Sequence, residues 1–445
     1  MKPFSLFVST LLGAALALGA AMPAAAQQQV VIVTSFPKEL TEAFKKAFEA
    51  KNPGTKVEIL NKPTPAGVAY IREAPAGNKP DVFWVSAPDA FEVLAKEKLL
   101  ARIPELANPA VPKKIGNYPI NDPNGYYLGQ ALAGYGIMWN TRYLKAHKLP
   151  EPREWADLAK PVYFGHVAIS SPSRSGTTHL TVETILQGEG WDKGWRQLLQ
   201  IAGNCAAITE RSFGVPDGVN NGQFGLGLVI DFFGLAAIAS GFPAGFVYPS
   251  MTAIVPANIG LVAGAKNAEA GKKFIAFTLS PEGQEVLFDP KISRLPVLPS
   301  VYAKAPKGFP NPFTGSIKPK VNFDSELSES RYYLVSSIFD HTITFRHKEL
   351  VAATRAINEA AAKLAGKPNA QAQQLLAEAR DLAYTPVVSA EKSRDKEFLA
   401  LYRNTKRDAQ KTKQVTALEE YWNSTARRNY ARAVELAGQA AALAK

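Results

Sequence analysis

Apolar residues near the start of the chain come in two rhythms. Val30 to Val33 form an unbroken apolar run of strand length. Leu40, Phe44 and Phe48 then recur every four residues, and TKVEIL extends again. Together they predict strand, helix, strand. PDVFWVSAPDAFEVLAKEKLL repeats the strand-then-helix order, which is the pattern of a doubly wound α/β domain. The character shifts near YYLGQALAGYGIMWNTRYL, and a second α/β segment runs from about Trp155 to Tyr248. MTAIVPANIGLVAGAKNAEAGKKFIAFTL returns to strand and helix. The simplest arrangement is a first lobe (27–133) interrupted by a second (134–250) and then resumed (251–320).

Beyond residue 320 the rhythm becomes helical. Leu350, Thr354, Ile357, Ala361 and Leu364 form one stripe, and two further alanine-rich stretches reach the end of the chain. Residues 321–445 thus read as a helical extension. The α/β lobes have complete cores of their own, so the expectation is a brace packed on one lobe that leaves any hinge free.

Residues 1–26 carry Lys2, an uncharged apolar core and a small-residue ending, Ala24-Ala25-Ala26. This is the pattern of a secretory signal cleaved after Ala26. The single cysteine, Cys205, excludes an internal disulfide and a cysteine metal cage. Export without disulfides suits a large periplasmic protein. A formal charge of +12 favours anionic partners. The basic residues are spread along the chain, with no zinc spacing and no arginine-rich run, so no nucleic-acid partner is expected.

Three predicted strands finish alike, in VTSFPKEL, WVSAPDAF and ISSPSRSG. Taken singly, Ser35 and Ser86 read as helix N-caps, with proline tolerated at the first helical positions. Taken together, three such ends describe a place where helix N-termini meet an anion between lobes. The third is the richest. Ser171, Ser173, Ser175 and Thr177 offer hydroxyls, Gly176 admits close backbone approach, and Arg174 offers a planar charged fork. The loop lacks the lysine of a Walker loop and does not fit a Gly-x-Ser-x-Gly elbow. His179 reads as a helix residue with a satisfied side chain. Further on, Arg211 and Ser212 fall in a loop, and Asp231 ends a strand. That aspartate either fixes a ligand hydroxyl or ammonium, or forms an ion pair with Arg174 or Arg211.

SSPSRSGTTHLTVE, GWDKGW, ERSFGV, VID before an aromatic, and FDHTITFR at 339–346 carry a resemblance. The chain resembles the bacterial extracellular solute-binding proteins of ABC transporters, in the two-lobed class that includes ferric-ion and organophosphate binders. It is also similar to the phosphoglycerate transport regulatory members of that class. The resemblance implies an α/β, type II periplasmic-binding-protein fold with a C-terminal helical extension. It also implies delivery of a ligand to an inner-membrane ABC permease or a sensor kinase. Ferric binders of this class place adjacent tyrosines after the corresponding strand. Phe232 and Phe233 stand here, and a phenyl ring has no oxygen for a hard cation.

The expectation is therefore a periplasmic receptor for a small organic anion, a phosphorylated metabolite, without a cofactor, a bound metal or a catalytic role. Its ligand-binding set is Ser35, Ser86, Ser171, Ser173, Arg174, Ser175, Gly176, Thr177, Arg211, Ser212 and Asp231. Three alternatives stand beside it: a ferric-ion carrier, a secreted phosphoesterase using Asp231 and His179, and a helical adaptor whose tail binds a partner.

Overall fold

The computed structural model describes residues 28–367, 369–402 and 409–443. The expected signal segment, with its cleavage point after Ala26, lies outside the described residues. The first lobe opens with β1 (Gln28–Thr34), α1 (Lys38–Lys51), β2 (Thr55–Asn61), α2 (Thr64–Glu73), β3 (Val82–Val85) and α3 (Pro88–Lys96). A short hairpin, β4 (Lys114–Ile115) and β5 (Tyr118–Pro119), leads to β6 (Leu128–Asn140). The second lobe follows with α4 (Thr141–His147), β7 (Val167–Ser170), α5 (Gly176–Glu189), α6 (Trp191–Gly203) and β8 (Cys205–Thr209). It ends with α7 (Gly214–Asn221), β9 (Leu226–Ile230), α8 (Asp231–Ala239) and β10 (Ala244–Val247). The chain then returns through β11 (Ile254–Leu261), α9 (Ala268–Leu279), α10 (Pro281–Glu285) and β12 (Leu295–Pro296).

The strands follow the order β2-β1-β3-β11-β6-β9-β7-β8, with β10 and β12 also paired to β6. β1 is parallel to β2 and β3, and β7 is parallel to β8 and β9. β6 joins the two sets, and every one of its residues is buried. Its first half is antiparallel to β11, and from Tyr135 onward it is antiparallel to β9. It runs unbroken through the 133/134 position at which the sequence divides the lobes. The stripe of α1 packs as its spacing predicts: Phe44 meets Trp84 edge-on at 5.1 Å, and Phe48 meets Phe274 at 5.2 Å.

The C-terminal region is helical: α11 (Ser325–Ser330), α12 (Tyr332–Thr342), α13 (His347–Leu364), α14 (Ala370–Tyr384), α15 (Lys396–Tyr402) and α16 (Ala409–Ala442). Leu350, Thr354, Ile357 and Leu364 of the predicted stripe are buried, and α13 packs on α6, α14 and α16. Among the described residues no helix is long and apolar enough to cross a membrane.

The extension does not brace one lobe only, as the sequence suggested. On the first lobe, Glu329 pairs with Lys96 at 2.7 Å, Ser328 donates to Asp89 at 2.8 Å, and Arg72 donates to the Tyr333 hydroxyl at 3.0 Å. On the second, Arg331 grips Glu183 through Nε and Nη2 at 2.8 and 2.7 Å, and Ser171 donates to Asp340 at 2.7 Å. An apolar stripe says that a helix is buried, not between which surfaces. Here α11 and α12 lie in the seam between α3 and α5, so one short segment reaches both lobes.

Arg331 and Glu183 are both almost fully buried. Burial alone would raise the Glu183 pKa, and the Arg331 charge and hydrogen bonds more than reverse this, leaving it below the usual range. Removing one partner strands a charge in the core. Arg331→Met should therefore lower unfolding free energy by about 3–5 kcal/mol in urea titration. Lys96→Ala, at a half-exposed pair, should cost about 1 kcal/mol or less. Equal losses from the two would show that burial does not govern the bridge.

Candidate functional site

The ends of β1, β3 and β7 come together at the junction of the lobes. Gly176 opens α5, and a Cβ added to it would stand 2.8 Å from both Ala87 Cβ and Thr64 Oγ1. The second lobe thus rests directly on the starts of α2 and α3. Thr64 in turn donates to Ser35 Oγ at 3.0 Å. Arg211 makes a further bridge, donating from Nη2 to Asn61 Oδ1 at 3.1 Å. A cleft of about 790 Å³ adjoins this contact, lined by Asn61 and Lys38 of one lobe and Asp217, Phe232 and Phe233 of the other. Lys291 adds a second cation to its wall, facing the carboxylates of Glu39, Glu42 and Asp217.

Ser35 and Ser86 do not cap their helices. The N-cap of α1 is Pro37 and that of α3 is Ala87, neither with a side-chain cap bond. With proline at the helix start, each serine falls one or two residues too early, which leaves its hydroxyl to other groups. Ser175, in contrast, is the N-cap of α5 and accepts from Thr178 N at 3.1 Å.

The rest of the serine-rich loop divides between lobes and tail. Ser171 is fully buried, bonded to Ser173 Oγ at 2.8 Å and to Asp340 of α12. Both hydroxyls are thereby engaged on the tail side. Thr177 is half-buried on the first turn of α5, and Ser212 is half-buried in its loop. Arg174 meets Glu210 at 2.6 Å, an exposed pair on the same lobe. Such a pair is worth little, so the guanidinium is readily available to another anion.

Asp231 pairs with neither Arg174 nor Arg211, against both sequence alternatives for an ion pair. Burial is the reason: it begins α8 just before Phe232 of the cleft wall, 1 % exposed, where neither arginine bonds to it. Its carboxylate accepts from Gly134 N at 2.7 Å, Phe232 N at 2.8 Å and the Tyr248 hydroxyl at 3.0 Å. Burial nevertheless raises its pKa to about 6, the three hydrogen bonds and the Arg294 charge opposing.

Arg294 is the residue that sequence reasoning missed. It is wholly buried, its guanidinium carbon 4.3 Å from the Phe36 ring centroid and 4.6 Å from that of Phe232. Nη2 donates to Ser86 Oγ at 3.1 Å. Burial lowers its pKa to about 10, with Asp231 and Tyr135 favouring the charged form, so it stays cationic at neutral pH. The available signal was a lone arginine in the apolar run KISRLPVLP.

His179 is buried inside α5, its Nε2 3.1 Å from Asp89 and 3.3 Å from Ser328 Oγ. Both partners face the same ring nitrogen, and Nδ1 has none. A serine-nucleophile triad needs its acid and its serine on opposite nitrogens. Among the described residues, no three His, Cys, Asp or Glu side chains cluster as metal ligands.

Two lobes joined through a shared strand, with a cleft at their strand ends, define a two-lobed binding protein. The chain belongs to the family described as bacterial extracellular solute-binding protein, whose sequence profile matches residues 77–315, more than half of its length. It is 30% identical over 385 residues to the phosphoglycerate transport regulatory protein PgtC of Salmonella typhimurium, covering 85% of this chain and 90% of that one. Its fold is similar to that of the periplasmic binding protein AfuA from Actinobacillus pleuropneumoniae, solved with fructose-6-phosphate bound. That likeness has a TM-score of 0.64 at 20% identity and covers 72% of this chain and 99% of AfuA. Iron-bound HitA from Pseudomonas aeruginosa is also similar, with a TM-score of 0.57 at 18% identity over 69% of this chain and 98% of HitA. The fold is thus the type II periplasmic-binding-protein fold with a helical C-terminal region, and the protein is a solute-binding protein.

Asp231 gives the site a pH signature. The folded chain holds its proton more tightly than the unfolded chain, where an aspartate titrates near 3.9. Stability from this group is present in full below about pH 4 and is lost as pH rises through about 6. The wild type should therefore gain about 2 kcal/mol on Asp231→Asn between pH 7 and pH 4, read from paired urea titrations. A constant difference would place the Asp231 pKa in the ordinary range.

Proposed function

We propose that this protein is a periplasmic receptor, exported by its N-terminal signal, that closes over a small phosphorylated organic anion for ABC-type uptake or transport sensing. The observation that carries the reading is the convergence of the ends of β1 and β3 and the start of α5, from opposite lobes, beside one cleft. Helix N-termini present unpaired N–H groups and partial positive charge there, the environment a phosphate group needs. Thr177 and Arg174 stand at the same helix start and would clamp the phosphate, with Arg211, Ser212 and Asp231 reading the rest. The relationship to PgtC, named for phosphoglycerate transport, supports the ligand class. Delivery to an inner-membrane permease or a sensor kinase follows from the same relationship.

Iron carriage is the reading to set against it, since HitA shares the fold. Phe232 and Phe233 follow β9 with no oxygen to offer a ferric ion. For the phosphoesterase reading, which needs Asp231 and His179 as acid and base, the two residues have separate partners: His179 meets Asp89 and Ser328, and Asp231 meets Gly134, Phe232 and Tyr248.

Thermal-shift titration with 3-phosphoglycerate, fructose 6-phosphate and ferric citrate is the test. A phosphorylated metabolite at a hundred times its Kd should stabilise the fold by about 2.7 kcal/mol. Stabilisation by the ferric salt alone would refute the proposal. Gly176→Ala supplies a second check, because its methyl would collide with Ala87 and Thr64 across the lobe contact. It should weaken the bound metabolite about tenfold or more, and unchanged affinity would separate this contact from ligand binding.

A further inference from the structure

Two buried arginines in this chain are treated in opposite ways. Arg331 is satisfied by the Glu183 carboxylate through two nitrogens. Arg294 is more deeply buried, yet beyond the bond from Nη2 to Ser86 its Nε and Nη1 have no hydrogen-bond partner. Tyr135 of β6 is equally buried, and its hydroxyl also lacks a partner. The two side chains are electrostatically coupled to each other and to Asp231. Asp231 does not relieve them, because its oxygens already take two backbone N–H groups and the Tyr248 hydroxyl.

The backbone delivers Arg294 to this place at some strain. Ser293, just before it, holds φ at +45°, a left-handed conformation unusual for a residue with a Cβ. Leu295 and Pro296 then pair with Leu132 and Ala131 of β6, close to the point where that strand changes partners. The Phe36 and Phe232 rings, one from each lobe, cover the guanidinium. Unpaired donors gathered in a core are destabilising, and strain of this kind persists where function requires it.

We propose that Arg294 and Tyr135 receive an oxyanion group of the ligand at the junction of the lobes, behind Phe232 of the cleft wall, through Arg294 Nε and Nη1 and the Tyr135 hydroxyl. This rests on the receptor reading above and assigns the anion's charge to a residue outside the serine-rich loop. The guanidinium fork suits carboxylate and phosphate alike. Phe36 and Phe232 hold the same cation from the two lobes, tying charge recognition to how the lobes are placed.

Isothermal titration of the full chain with 3-phosphoglycerate, glycerol 3-phosphate and glycerate tests this. Arg294→Met should weaken 3-phosphoglycerate at least thirtyfold, and Tyr135→Phe about fivefold. Retained affinity for glycerol 3-phosphate would identify the carboxylate as the group at Arg294, and its loss would identify the phosphate. Without ligand, Arg294→Met should melt at the same temperature or higher, since it removes unsatisfied donors from the core. Unchanged affinities in both variants would overturn the inference, as would an Arg294→Met protein that melts several degrees lower beside a Tyr135→Phe protein that binds normally. If the wild type binds none of the three probes, the phosphorylated-anion reading falls. The melting temperatures then decide this inference: a rise in Arg294→Met upholds it and a fall overturns it.

Discussion

The molecule depends on one strand. β6 is buried along its whole length and is hydrogen-bonded to both lobes, so neither half of the sheet is complete without it. It changes partners between Gly134, opposite Ile254, and Tyr135, opposite Ile230. At that step the Gly134 N–H donates to Asp231, the first residue of α8. The connection between the lobes and the seat of Asp231, next to Phe232 of the cleft wall, are therefore the same few residues. A side chain placed there feels any relative rotation of the lobes.

The charges at this junction follow from its burial. Asp231 and Arg294 sit in one low-dielectric region and shift toward neutrality, one up and the other down, without either becoming neutral at pH 7. Hydrogen bonds hold the carboxylate, whereas two aromatic faces hold much of the cation. An aromatic face attracts a cation without using its N–H groups. Arg294 is thus kept in position while its donors stay free. A carboxylate in the place of the rings would have fixed the arginine equally well and used them.

Features of the chain that depend on neighbours in sequence were legible in it. The stripe of α1, the alternation of strand and helix, and the helical tail all follow from spacing, because a residue's face is set by those three or four positions away. The three strand ends were legible for the same reason, although the caps slipped by a residue or two where proline opens the helix. Long-range geometry was not legible. Ser171 lies in the expected loop, yet it bonds to Asp340, 169 residues later. Arg294 carries no local mark of its role, since nothing in KISRLPVLP tells which aromatic rings will close over it. The serine-rich loop drew attention by composition, while the most deeply buried cation of the site came from a stretch that reads as core.

The tail and the cleft meet through α5. Gly176, where the lobes touch, is three residues from His179, where α3 and α11 converge on Asp89 and Ser328. Three residues are less than one helical turn, about 5 Å of rise. Asp89 likewise stands two residues from Ala87, the other side of the contact. A rotation that parts Gly176 from Ala87 must also stretch the buried bonds between His179, Asp89 and Ser328. Each buried bond of this kind is worth about 1 kcal/mol, and those to a charged group somewhat more. That is a sizeable share of what a micromolar ligand supplies, about 8 kcal/mol. α11 is thus bonded to the lobe contact without lining the cleft itself.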